Sequence, residues 1–290
     1  KPYYTAAVTV GKLLRYTMVH DFVAGDYMWT GIDYLGEANW PQRSAGCGCL
    51  DTCGFEKDAF YFYRSVWNQK EKFAYLCPHW NLKLEKGTVL PVICYTNCED
   101  AELFVNGRSF GMKSKGFPCY GMTERYGHFD RYRRPANTDD LFLSWDVPYE
   151  PGKIEVVGYH DGKEVCRYNV ETTGEAAAIK LTVDKTSVDA DGRSIVQAEV
   201  RILDSEGRLV LDACPELDFT LEGDGEIIGI DNGDPACHEQ WKETKGRHAF
   251  NGMAYAVIRA GQSKGELTLT VQASGVDAAI GKASVTISQK

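Results

Sequence analysis

Glu102-Leu103-Phe104-Val105-Asn106-Gly107-Arg108-Ser109-Phe110 decides the fold of most of this chain. A short β-rich run enters an Asn-Gly pair, and a second run leaves it. Both central residues of a type I′ turn need positive φ, so Asn-Gly between two such runs is the strongest short-range hairpin signal a sequence carries. Lys153 to Tyr159, Asp161-Gly162 and Lys163 to Tyr168 repeat the same logic. Val89 to Tyr95 adds a strand bounded by turn residues, and from about Glu71 onward the apolar period is two rather than 3.6.

These signals predict an antiparallel, Ig-like β-sandwich over Glu71 to Thr173. Gly174 to Ala178 is small and acidic and reads as a linker, placing the domain at residues 71–175. A second all-β module, residues 176–290, begins with Ile179 to Val183. It continues through Ser194 to Leu203, Arg208 to Leu211, Glu226 to Ile230, Met253 to Ala260, Glu266 to Ala273 and Ala283 to Gln289. Strands at this spacing, parted by Gly- or Asp-containing turns, predict a second sandwich.

Working back towards the N-terminus, the period becomes helical. Tyr3, Ala7, Val10, Leu14 and Met18 form one stripe over Pro2 to Asp21, and Ala59, Phe62, Tyr63, Val66 and Trp67 form another. Between them Val23 to Trp29 reads as a buried strand, followed by a Gly- and Cys-rich loop from Gly36 to Phe55. Helix, strand, loop, helix is the pattern of the last part of a (β/α)₈ barrel, and residues 1–70 are assigned to it. One parallel strand has no partner by itself. The fold class is therefore mainly β, two Ig-like β-sandwich domains preceded by the final helix–strand–helix segment of a (β/α)₈ barrel.

Of the 290 residues, 43% are hydrophobic and 25% charged, as in an ordinary soluble domain, and the net charge is −9. That sign argues against nucleic acid and anionic membrane surfaces as partners. No apolar run reaches the ~20 residues of a spanning helix, so no membrane span is expected. The chain opens on Lys1 rather than Met, so it is expected to be part of a longer product. Ten cysteines are too few for a disulfide scaffold. Cys47, Cys49 and Cys53 could form one zinc hook and Cys94 with Cys98 a second, but Cys94 falls in a strand-like run. Free or buried thiols are the main expectation, with zinc and disulfides as the alternatives. No metal and no cofactor is assigned.

The candidate site lies at Tyr27-Met28-Trp29-Thr30-Gly31-Ile32-Asp33-Tyr34-Leu35-Gly36-Glu37. Barrel active sites gather where strands end, and a flat aromatic there offers a surface for the C–H face of a sugar. Trp29 is thus a substrate platform or, alternatively, a core residue. Asp33 is a hydroxyl-binding or loop-ordering group. Asp33 and Glu37 as an acid/base pair would have to meet the geometry of proton transfer. Trp40 either extends the aromatic surface or packs its loop. The basic and aromatic run Arg125 to Arg134 reads as a loop packing on the barrel. His79 and Trp80 read as a strand end tucked against the barrel. Asp231, Asn232 and Asp234 suit an Asx-type turn better than a calcium loop.

The segment from Tyr27 to Glu37 resembles the last barrel strand of glycoside hydrolase family 2 β-galactosidases of the Bacteroides type. The likeness continues through Asp51-Thr52-Cys53-Gly54-Phe55-Glu56-Lys57-Asp58, Pro78-His79-Trp80-Asn81, Tyr95-Thr96-Asn97-Cys98 and the hairpin quoted first. Gly229-Ile230-Asp231-Asn232-Gly233-Asp234 and Ala249-Phe250-Asn251-Gly252 extend it to the second sandwich. The resemblance implies retaining hydrolysis of terminal β-linked sugars by two glutamates. It places both on earlier barrel strands, so no catalytic residue is expected in this chain and the chain alone should be inactive. It also implies a carbohydrate substrate, the remainder of the catalytic domain as partner, and a periplasmic or secreted location. From a different class, a non-catalytic carbohydrate-binding or surface Ig-like protein is the alternative.

Overall fold

The structure, a computed structural model, describes residues 10–290 apart from 12, 19, 21, 116–140, 241 and 243–245. The run Arg125 to Arg134 therefore lies outside the described residues. By contacts the chain forms two compact units. One comprises Lys1–Gly31 with Glu56–Thr172, the other Ile32–Phe55 with Thr173–Lys290. Among the described residues no helix is long and apolar enough to cross a membrane.

The first unit is built on a β-sandwich. One sheet has the order Ala74–Cys77, Val89–Thr96, Leu143–Pro148, and the other Arg108–Ser114, Asp100–Val105, Lys153–His160, Lys163–Glu171, all antiparallel. The two predicted hairpins form as expected. Asn106 and Gly107 have φ of 49° and 79°, and Asp161 and Gly162 have 50° and 68°. Leu76, Val92, Cys94, Leu143 and Trp145 of the smaller sheet meet Leu103, Val105, Ile154 and Val156 of the larger in one core.

The other face of the smaller sheet is also covered. Cys77, Ile93, Tyr95 and Phe142 pack with Leu14 and with Phe62 of the helix Asp58–Trp67. Val89–Thr96 is consequently buried along almost its whole length, which is why it reads as a continuous apolar run rather than an alternation. Residues 10, 11 and 13–18 are helical, within the predicted first helix.

Trp80 corrects the sequence reading. It is fully buried inside the sandwich core rather than tucked against a barrel. Its indole N–H donates to the Glu150 carbonyl at 2.8 Å, and its ring meets Tyr149 edge-on at 5.2 Å. A buried indole needs such an acceptor, and this one lies 70 residues away in sequence.

The second unit packs Ala178–Val183, Ile195–Leu203, Met253–Ala260 and Gly225–Asp231 against a five-stranded sheet. That sheet has the order Ser187–Val188, Lys282–Gln289, Gly265–Ala273, Glu216–Glu222, Arg247–His248. Every second residue of two central strands points inward. Val196, Ala198, Val200 and Ile202 share the core with Leu267, Leu269, Val271 and Ala273.

The predicted strand Arg208 to Leu211 does not form, leaving one bridge between Leu203 and Leu209. The reason is local competition for backbone donors. Buried Asp204 accepts the N–H groups of Glu206 (3.0 Å), Arg208 (2.9 Å) and Gly174 (3.0 Å), and the Arg208 guanidinium at 2.8 Å. Burial by itself would push this carboxyl up, but those donors outweigh it and hold it well below the usual carboxylate range.

Because the folded pKa lies below the unfolded value, the stability Asp204 contributes is complete above that value, near pH 4. It is lost as the pH falls further towards the folded pKa. Asp204→Asn should lower the unfolding free energy at pH 7 by about 1–3 kcal/mol and flatten the decline below pH 4. Urea titrations of both proteins from pH 7 to pH 3 provide the check.

Candidate functional site

The two residues assigned to substrate in the sequence fall in different compact units, Trp29 in the first and Asp33 in the second. Each is described in its own surroundings.

Val23 to Trp29 is not a strand. Residues 23–28 have no regular secondary structure, which corrects the sequence expectation. A lone parallel strand leaves its backbone donors and acceptors without a ladder, and such a segment has no reason to stay extended. Its side chains turn to solvent: Tyr27 is 96% exposed and Trp29 72% exposed. In this structure the Trp29 side chain is largely open to solvent.

Asp33 opens a loop that folds on itself. Its backbone N–H donates to the Leu50 carbonyl at 2.9 Å, and Tyr34–Leu35 pairs with Ser44–Ala45. The carboxylate is only 5% exposed and accepts the Gly48 N–H at 2.6 Å. A Cβ on Gly48 would stand 2.4 Å from the Asp33 nitrogen, so glycine is required between Cys47 and Cys49. Glu37, by contrast, is exposed and accepts the Tyr34 hydroxyl. The two carboxylates are thus engaged with different partners rather than arranged as an acid/base pair.

The same loop is tied to the sandwich that follows it in this unit. Asp51 accepts the N–H groups of Cys53 (2.8 Å) and Phe55 (2.9 Å). Its other oxygen occupies the place where a Cβ on Gly233 would be, 2.0 Å away. Asp231 accepts Arg43 at 3.1 Å, the Thr52 hydroxyl at 3.2 Å and the Asn232 N–H at 2.9 Å. Asp234 N–H donates to the Asn232 side chain at 3.1 Å, and Ala236 N–H to Asp234 at 2.9 Å. These are the side-chain-to-backbone bonds of Asx turns. Trp40 is 82% exposed but stacks on His238, centroids 4.8 Å apart, and His238 bonds the Pro41 carbonyl at 2.7 Å.

An open cavity of about 470 Å³, within the range of ligand sites, lies where loop and sandwich meet. It is lined by Asp33, Tyr34, Cys53, Ile230, Asp231 and Tyr255 among others. Burial, then Asp231 and Asp51, push the Cys53 thiol far up. Among the described residues, Cys47, Cys49 and Cys53 take part in no disulfide. Sequence reasoning missed Arg43, Thr52 and Arg247 around Asp231. They stand 188, 179 and 16 residues from it, and no periodicity links them.

The comparisons with known proteins agree with this architecture. A family described as glycoside hydrolase family 2 C-terminal domain 5 matches residues 179–281, and a domain of unknown function (DUF4982) matches residues 87–166. The β-galactosidase BoGH2A of Bacteroides ovatus is 36% identical over 275 residues, 93% of this chain and 29% of that protein. A putative β-glucuronidase of Formosa agariphila is 32% identical over 86% of this chain and 22% of its own length. The crystal structure of a β-glycosidase from Bacteroides vulgatus matches with a TM-score of 0.80 at 30% identity, covering 96% of this chain and 32% of that one. The chain is mainly β and carries, at residues 179–281, a match to the C-terminal domain 5 of glycoside hydrolase family 2. It belongs to glycoside hydrolase family 2, and it spans about a third or less of the length of these relatives.

The contact at Gly48 yields a test. Gly48→Ala forces a Cβ into the Asp33 backbone, so it should cost at least about 2 kcal/mol of unfolding free energy, as overpacking against immovable backbone does. Gly46→Ala, whose nearest neighbour is 4.0 Å away, should cost under about 1 kcal/mol, roughly the helix or loop propensity scale. Equal denaturation midpoints for the two variants would refute the close approach.

Proposed function

We propose that this chain is the C-terminal portion of a retaining β-galactosidase that removes terminal β-linked sugars. Residues 1–70 complete the catalytic barrel, and the two catalytic glutamates lie on other parts of the polypeptide. The observation that carries this reading is Trp29, a large aromatic held 72% exposed on a stretch without secondary structure. A strand that needs neighbouring strands, and an indole that needs a ring to stack on, are both explained by the rest of a barrel. The identity to a β-galactosidase over 93% of the chain supports the galactoside as substrate.

In this reading Trp29 supplies the apolar wall against which the sugar's C–H face packs, and it discriminates by shape rather than by charge. Asp33 orders the following loop through the Gly48 N–H, acting as a positioning residue. The work of the carboxylate pair, one nucleophile and one acid/base about 5–5.5 Å apart, belongs to the partner segment.

Two measurements test this. The 290-residue chain should not release nitrophenol from a 4-nitrophenyl β-galactoside above a blank; turnover would defeat the proposal. In the complete enzyme, Trp29→Ala should lower kcat/KM about tenfold or more, since a stacked ring contributes roughly 1 kcal/mol beyond its buried area. The melting temperature should hold. An unfolded variant with normal activity per folded molecule would make Trp29 a core residue. Faster turnover of a β-glucuronide than of the galactoside would replace the sugar assignment and leave the barrel assignment standing.

A further inference from the structure

Two cysteines of the first unit face one another. Cys98 precedes the strand Asp100–Val105, and Cys166 lies in the edge strand Lys163–Glu171. Their sulfurs are 3.5 Å apart although 68 residues separate them. The strand Lys153–His160 runs between their two strands, and Gly158 is paired with Cys166 on one side and Ala101 on the other. A Cβ on Gly158 would come within 2.6 Å of both sulfurs. Only glycine at that position lets the two thiols meet.

The surroundings favour reaction at Cys98. It lines a cavity of about 190 Å³ with Lys72, Lys115, Glu99 and His160. The Lys115 ammonium donates to the Thr96 carbonyl at 2.9 Å and that of Lys72 to the Asn97 carbonyl at 3.2 Å. Two cations thus flank the residues just before the thiol. The hydrogen bond from Cys166, aided by Thr96 and the two lysines, draws the Cys98 thiol down, while the same bond and burial push Cys166 up. Cys94, four residues earlier in the core, is pushed up to about 12 by burial. Cys98 is itself buried, and the cavity is the route by which a small molecule would reach its electropositive surroundings.

We propose that Cys98 and Cys166 form a redox-active dithiol, closed to an intramolecular disulfide by a small hydroperoxide that enters the Cys98 cavity. The Cys98 thiolate attacks one oxygen of hydrogen peroxide. The O–O bond breaks, and the departing hydroxide takes up the proton that Cys98 released, giving water and a sulfenic acid. The Cys166 sulfur then attacks the Cys98 sulfur. The S–O bond breaks, and the hydroxyl leaves as water with the Cys166 proton. Two thiols are oxidised, one peroxide is reduced to two waters, and a dithiol reductant reopens the bond. The bond would staple an edge strand to the turn before Asp100 and close a 68-residue separation in the unfolded chain.

The full 290-residue chain is treated with stoichiometric hydrogen peroxide, alkylated with iodoacetamide, digested without reduction and mapped by mass spectrometry. A Cys98–Cys166 cross-linked peptide is expected, lost on adding dithiothreitol. It should be accompanied by a melting temperature higher by roughly 5–10 °C. Cys98→Ser and Cys166→Ser should each abolish the link and the shift, whereas Cys47→Ser should keep both. In Cys166→Ser, dimedone should trap a sulfenic acid at Cys98. A link through Cys94 or Cys119, or oxidation to sulfinic acid without any link, in protein of unchanged circular dichroism, would overturn the proposal.

Discussion

Within the second unit, the carboxylate of Asp231 ties the loop of residues 32–55 to the sandwich. Residues 32–55 contribute only the two-residue strands Tyr34–Leu35 and Ser44–Ala45, and so short a hairpin has no independent stability. Asp231 gathers Arg43, Thr52 and its own following N–H, binding that loop to the end of the strand Gly225–Asp231. Arg247, 1% exposed, stands 3.8 Å from the same carboxylate and 3.6 Å from Glu239, and it donates to the Ile230 carbonyl at 2.9 Å. A guanidinium is costly to bury unless paired and hydrogen-bonded. The cluster therefore fixes geometry more than it adds stability, and Gly233 and Asp51 close against each other because the cluster sets their distance.

The first unit solves the same problem with apolar surface. Its smaller sheet is covered by the larger sheet on one face and by the helix Asp58–Trp67 on the other. Phe62 meets Tyr95 edge-on at 5.5 Å, and Tyr61 stacks on Tyr75 at 3.7 Å. Tyr75 in turn donates to Asp58 at 2.8 Å. Burial raises that carboxyl and the Tyr75 bond partly offsets it, so the start of the helix is locked to the sheet. The helix reads in sequence as an amphipathic element without a stated partner. The sheet beneath it supplies one.

What could be read from the sequence was whatever is encoded locally. Asn106-Gly107 and Asp161-Gly162 specify their hairpins because the turn demands positive φ. Met253–Ala260 buries every second residue, Ala254, Ala256, Ile258 and Ala260. The strands Ala74–Cys77, Leu143–Pro148 and Glu216–Glu222 went unread. The first is buried at nearly every position, where alternation fades; the other two do alternate, burying Leu143, Trp145 and Val147 and then Leu217 and Phe219, so their signal was present in the sequence. Val23 to Trp29 failed in the opposite sense, for its apolar run is real but the neighbours that would make it a strand are not in this stretch. At the site, Trp29 and Asp33 were visible by type and position. The donors on Asp231 were not, because Arg43 and Thr52 stand 188 and 179 residues from it.

That failed strand bears on function. Phe22, Tyr27, Trp29, Ile32, Leu35 and Trp40 are all exposed large hydrophobics within one short stretch of sequence, whereas the sandwiches bury most of theirs. Scattered exposed apolar residues need no explanation, and Phe22, Tyr27 and Trp29 of the first unit are the cluster that bears on the proposed barrel contact. Residues 23–28 have no ladder to hold them. A strand added to a parallel sheet gains its backbone bonds and buries its aromatics in one step. On the reading proposed above, the residue at the open end of such a strand would be Trp29, where the apolar run stops.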